Sequence, residues 1–180
     1  MPFVAKSKLP RLGREWYRGR VAVLWTHTFE HRATGWLNFA FHARFREIWL
    51  HACIRYDLLC PTYVLMPDHW HIVALGTAES SEQRLATAFL RQHLGPNLGS
   101  ARLQDRAHDH VLREHERLRG AFENACHYVQ QNPVRARLVA DSRSWPYLGC
   151  IVPGYPRLTL DDDDFWDRFW KIHARLGNGD

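Results

Sequence analysis

No apolar run in the 180 residues approaches the length of about 18 that a membrane-crossing helix needs. The first ten residues hold no apolar signal core and lead into a basic segment, so secretion is unsupported and a soluble, cytoplasmic protein is expected. The four cysteines, Cys53, Cys60, Cys126 and Cys150, form no Cys-x-x-Cys pair. Free buried thiols explain four scattered cysteines better than a zinc knuckle or a disulfide framework does. There is no internal repeat, and no low-complexity segment beyond Asp161, Asp162, Asp163 and Asp164. With 46% apolar residues and 13% aromatics, general disorder is excluded and one domain with a real core fits the length. Its core is expected over about residues 18–140, with a basic N-terminal arm at 1–17 and a C-terminal tail at 141–180.

Charge is uneven. Residues 1–160 carry 21 Lys and Arg against 13 Asp and Glu, whereas residues 161–180 carry 3 against 6. A basic body rich in aromatics permits a polyanionic partner, because Lys and Arg bind phosphates and rings stack on bases. The segment with Lys6, Lys8, Arg11, Arg14, Arg18 and Arg20 has only Glu15 against it and reads either as an arm along a phosphate backbone or as a solvated terminus.

Hydrophobic spacing orders the chain. Residues 21–29, VAVLWTHTF, predict a strand apolar on both faces. Apolar residues from Leu37 to Leu59 recur at helical spacing and predict a long helix stopped by Pro61, with a strand carrying His69 following at once and ending at Gly76. A second helix is expected over 82–94, capped by Ser80 or Ser81 and burying Leu85, Ala88, Phe89 and Leu94. Short strands are expected around 101–104 and 108–112. A helix over 114–131 is expected to turn Leu118, Ala121, Phe122, Ala125 and Val129 inward. Residues 134–140 read as a helical continuation or a turn, and residues 145–156 as a tail wrapping the domain. The four aspartates read as a helix start ahead of Phe165, Trp166, Phe169 and Ile172. The alternation of strands and helices predicts an α+β split βαβ arrangement, an antiparallel sheet with helices on one face.

The chemistry centres on residues 61–76, PTYVLMPDHWHIVALG. In an extended strand His69 and His71 share one face while Asp68, Trp70 and Ile72 take the other. Such a pair arises by chance in a chain with 12 histidines, so it is a candidate only. His108 and His110 make a second pair in a polar setting and read as surface residues. Tyr128 and Asn132, four apart, share one helical face. If that face looks onto the histidines, two imidazoles, an amide oxygen and water can hold a divalent cation with positions open to a phosphate oxygen, and the phenol becomes a nucleophile. Tyr128 as a core residue and Asn132 as a helix terminus explain the same spacing, and spacing alone does not decide.

Four segments together, YVLMPDHWHIV at 63–73, HDHVLR at 108–113, YVQQNPVRARLV at 128–139 and WPY at 145–147, resemble the HUH single-tyrosine transposases, specifically the REP-associated tyrosine transposase branch. The segments come in family order and span most of residues 20–150. The resemblance implies a ferredoxin-like domain in which His69 and His71 bind Mg²⁺ or Mn²⁺, Asn132 is the polar third ligand and Tyr128 the nucleophile. It implies a metal-dependent endonuclease and strand transferase that acts on single-stranded, hairpin-forming DNA through a 5′-phosphotyrosine, a monomer rather than a dimer. The alternative is a domesticated hairpin-DNA-binding protein of the same fold without cleavage. An unrelated metallohydrolase lacks an acidic third ligand beyond Asp68. Arg113, Arg135 and Arg137 flank the expected site and are the first candidates for DNA contact, ahead of Lys6, Lys8, Arg11 and Arg14. One position departs from the family pattern: Arg137 stands where glycine is usual, at a cost of order 1 kcal/mol if the backbone there is left-handed.

Overall fold

The computed structural model describes residues 12–112 and 120–177. Five strands form one sheet: β1 (Ala22–Thr28), β2 (Leu58–Met66), β3 (His69–Gly76), β4 (His108–Leu112) and β5 (Leu148–Ile151). Their order is β4-β1-β3-β2-β5, and every neighbouring pair is antiparallel. β1 and β2 therefore run parallel with β3 between them, joined by α1 (Phe39–Arg55), which is the split βαβ unit of a ferredoxin-like fold. α2 (Gln83–Leu94) connects β3 to β4. The chain ends with α3 (Ala121–Gln130), the single turn α4 (Asn132–Arg135), β5 and α5 (Phe165–Gly177).

The expected long run from residue 37 resolves into a helix and a strand. Asn38 caps α1 by accepting the Phe41 N–H at 2.8 Å. The helix ends at Arg55, because Asp57 takes a left-handed backbone (φ 54°) that turns the chain straight into β2. Pro61 is thus not the stop. It lies inside β2, where the register against both neighbours shifts, between Leu59 and Thr62 on one side and between Cys60 and Tyr63 on the other. A residue without an N–H is tolerated there because the ladder is already interrupted. Residues 61–76 are accordingly two strands of a hairpin, with Pro67 and Asp68 at the turn, and Asp68 does not belong to the face opposite the histidines.

Alternation along β1 divides two cores. Val23, Trp25 and Phe29 join Trp70, Ile72 and Ala74 against Phe41, Phe45, Ile48 and Trp49 of α1 and Ala86 and Leu90 of α2. Ala22 and Leu24 join Val64, Val73 and Leu75 against Phe122, Cys126 and Val129 of α3 and Phe165, Phe169 and Ile172 of α5. The expectation of helices on one face is corrected: α1 and α2 cover one face, α3 and α5 the other, since strands apolar on both sides need two layers. The segment read as a wrapping tail contributes an edge strand, β5, and the helix expected after the four aspartates forms as α5 of the second core. The four cysteines are free and buried, as expected.

Three local expectations change. Neither Ser80 nor Ser81 caps α2. Ser81 Oγ instead accepts from the Thr77 and Ala78 N–H groups and donates to the Asp57 carbonyl at 2.7 Å, closing the loop before the helix. α2 also buries Gln83, Ala86, Thr87, Leu90 and Leu94, leaving Leu85 and Ala88 exposed. The rotation is fixed by Gln83, which accepts from Trp25 Nε1 at 3.1 Å and donates to the Val21 carbonyl at 2.7 Å. Around 101–104 only one bridge forms, Phe29 with Leu103. The helix expected from 114 starts, among the described residues, at Ala121 after Gly120 in a left-handed conformation (φ 75°); Leu118 lies outside them.

Arg137 does adopt the left-handed backbone, with φ 58°. Its N–H donates to the Val134 carbonyl and that of Leu138 to the Pro133 carbonyl, both at 2.9 Å, which is a Schellman closure of α4. Glycine occupies that region without the Cβ clash. Replacing Arg137 with glycine is therefore expected to raise stability by about 1 kcal/mol, seen as a higher urea midpoint with an unchanged m-value.

Candidate active site

β1 and β3 pair Thr26 with His71 and Thr28 with His69, so these four side chains project from one face of the sheet. The histidine ring centroids are 4.9 Å apart. Each ring is held at Nδ1: Asp68 Oδ1 lies 2.6 Å from His69 Nδ1, and Thr26 Oγ1 lies 2.8 Å from His71 Nδ1. Burial pushes the Asp68 carboxyl up, but its hydrogen bond to His69 and the charges of His69 and Arg32 outweigh that and hold it below the usual range. Arg32 reaches Asp68 at 3.0 Å. An ionised Asp68 fixes His69 as the Nδ1–H tautomer, leaving Nε2 as the outward lone pair; coordination at His71 Nε2 requires the same tautomer with Thr26 accepting.

His71 is 9% exposed, and burial, then His69, then Arg135 lower its pKa to about 4. The imidazole is neutral at pH 7, as a metal ligand must be. Asn132, 8% exposed, donates Nδ2 to the Tyr128 and Val129 carbonyls at 3.2 Å, which terminates α3 and leaves Oδ1 with no partner among the described residues. Two imidazoles and one amide oxygen, if brought to one cation, would be a donor set that suits a divalent ion tolerant of N and O ligands. Among the described residues no three His, Cys, Asp or Glu side chains cluster in metal-binding geometry, so a cation here would complete its shell with water and substrate oxygens.

Tyr128 is 47% exposed, which excludes the reading of it as a core residue. α3 packs across β2 and β3, on the face that carries the histidines, and Arg135 follows it in α4. Its guanidinium lies 3.7 Å from the Tyr128 ring centroid, and its charge is one of the causes lowering His71. Arg137 is exposed two residues further on. Arg14 is not brought here: it pairs with Glu82 at 3.0 Å on the far face, next to Tyr17, which stacks on Trp25. Lys6, Lys8, Arg11 and Arg113 lie outside the described residues. His108 and His110 are exposed at the β4 edge, as expected of a surface pair. The sequence reading missed Thr26, Asp68 as the partner of His69, and Arg32. Asp68 was signalled by its place in the Pro-Asp turn beside His69, whereas Thr26 reaches His71 only through strand pairing.

The architecture is thus a ferredoxin-like α+β sheet carrying a His-x-His pair beneath a helix with an exposed tyrosine. No protein-family model matches the sequence, and no curated protein matches it. Among solved structures, a chain described as a REP-associated tyrosine transposase bound to a REP hairpin has the same fold, with a TM-score of 0.63 and 17% identity over 79% of this chain and 81% of that one. At that identity the likeness establishes the architecture alone. No described helix is long and apolar enough to cross a membrane.

Two outcomes follow from this geometry. Thr26→Val removes the His71 Nδ1 partner without changing shape much, so if the histidines ligate Mn²⁺, its affinity measured by calorimetry is expected to fall roughly 10- to 100-fold. His71, and His42 whose pKa burial and Arg46 also lower to about 4, protonate near 6.5 once unfolded. Between about pH 4 and 6.5 the unfolded chain binds more protons, so stability is full above 6.5 and declines as pH falls toward 4. Denaturant midpoints across that range check the sign, and His71→Gln is expected to flatten the slope.

Proposed function

We propose that this protein cleaves and rejoins single-stranded, hairpin-forming DNA, with Tyr128 as nucleophile and His69, His71 and Asn132 as ligands of Mg²⁺ or Mn²⁺. The observation that carries the reading is an exposed Tyr128 phenol, under the Arg135 guanidinium, on a helix packed on the sheet face whose histidine pair has both Nδ1 atoms held. The fold shared with a hairpin-bound transposase supports DNA as the partner.

In the reaction, Tyr128 Oη attacks the phosphorus of a phosphodiester, the bond to the 3′ oxygen breaks, and the phenolic proton is lost as the 3′ oxygen gains one. The products are a 5′-phosphotyrosyl link and a free 3′-hydroxyl. A divalent cation, when bound, polarises a non-bridging phosphate oxygen and favours in-line alignment. Arg135 restrains the Tyr128 ring and offers N–H donors to the phosphate, and Arg137 contacts the strand backbone. The link conserves the energy of the phosphodiester, so a 3′-hydroxyl reverses the step and joins strands without ATP.

A labelled hairpin with single-stranded flanks, incubated with Mn²⁺ and run under denaturing conditions, is expected to give a detergent-resistant protein–DNA adduct with the wild type and none with Tyr128→Phe. An adduct that persists in Tyr128→Phe sinks the assignment. Tight hairpin binding without nicking under any divalent cation identifies a binding protein of the same fold instead.

A further inference from the structure

The histidine-bearing face has a concave feature at the sheet edge. A cleft of about 270 Å³ lies between β5, the C-terminal turn of α3 and the segment before α5, with Arg46, Gln130, Arg143, Trp145, Leu148 and Asp161 among its walls. Register gives its place relative to the candidate active site. Leu148 pairs with Val64, and Val64 pairs with His71, so Leu148 and His71 lie in one row on the same face, ~10 Å apart across two strand spacings. Gln130 belongs to the helix that carries Tyr128. Arg46 reaches the cleft from the other layer because Gly149 has no side chain; a Cβ there would stand 2.8 Å from Arg46 Nη1.

The walls are chemically distinct. The Trp145 ring is a fixed flat surface, held by Nε1 donating to the Leu65 carbonyl at 2.9 Å and by edge contact with Tyr147 at 5.5 Å between centroids. Gln130 Nε2 donates to Asp161 Oδ1 at 2.6 Å, which leaves Gln130 Oε1 and the second Asp161 oxygen as acceptors. Arg143, tied to Asp141 at 2.6 Å with its side chain 70% exposed, supplies positive charge at the rim. The complementary ligand has a flat ring, hydrogen-bond donors on its edge and a negative charge outside the cleft.

We infer that this cleft takes one unpaired, amino-bearing nucleobase of the substrate strand, adenine, cytosine or guanine, next to the phosphate under attack. The inference rests on the reading of this chain as a single-strand DNA enzyme. Trp145 stacks on the base, Asp161 and Gln130 accept from its amino group, and Arg143 meets its phosphate. Thymine, with no amino group, fits worst. The cleft thereby fixes which flank nucleotide stands beside the nucleophile.

The test uses full-length Tyr128→Phe protein and a fluorescent hairpin whose flanking nucleotides are made abasic one at a time, read by anisotropy. One position is expected to lose affinity roughly ten-fold. Trp145→Ala should cancel that loss, and the exposed Asp161→Asn change should cancel the preference against thymine at the same position. A flat abasic scan, or a sensitive position unaffected by both variants, overturns the cleft assignment. If the wild type still forms its adduct in that case, only the cleft assignment falls; if the intact hairpin does not bind at all, both readings fall.

Discussion

The pairing of β1 with β3 is the constraint on which the rest depends. It sets Thr26 against His71 and Thr28 against His69, and it does so because Trp70, between the histidines, is buried among Phe29, Trp36, Phe41 and Phe45. A buried Trp of this kind is worth about 3–5 kcal/mol against truncation, whereas the hydrogen bond that compensates buried His71 is worth about 0.5–1.5 kcal/mol. The aromatic core therefore decides which face the strand presents, and the histidines follow. A slip of one residue would place both imidazoles in the apolar core and Trp70 in the site.

The second layer sets α3 over the face that carries those histidines. α3 is held on the sheet by Phe122, Cys126 and Val129, and Phe122 is in turn packed against Phe169, Trp166 and Trp170 of α5. α5 is fixed at its far end by His173, whose Nε2 lies 3.1 Å from the Gly76 carbonyl, and by Arg20 on the Gly177 carbonyl. The C-terminal residues are therefore part of what positions Tyr128. The turn of α4 then aims Arg135 back over the Tyr128 ring, and a left-handed Arg137 closes that turn.

Charge is distributed in keeping with this arrangement. The aspartates at 161–164 stand at the start of α5, where carboxylates complement the helix dipole, and Arg168 lies within ion-pair distance of Asp162 and Asp164. Asp161 is drawn to Gln130. Much of the acidity of the C-terminal segment is thereby engaged locally rather than set against the basic surface around α4. Arg14 and Arg18 share Glu82, so the described part of the basic arm is tethered to the sheet layer opposite the histidines.

Local periodicity alone encodes the β1 and β4 strands, α1 and α2 to within a few residues, the C-terminal helix after the four aspartates, and the sharing of one face by His69 and His71. Period two and the i, i+4 rule are local geometry, so they can be read without a partner. The tertiary structure decided the rest. The break between α1 and β2 came from a left-handed Asp57 and a bulge at Pro61, where helical and strand spacing overlap in an apolar run. β5 was invisible because a four-residue edge strand takes its stability from the strand it joins. The face buried by α2 was set by Gln83 finding Trp25 and a strand carbonyl. Helices on both faces and Thr26 behind His71 depend on residues far apart in the chain meeting through strand pairing and layer packing, which no local pattern records.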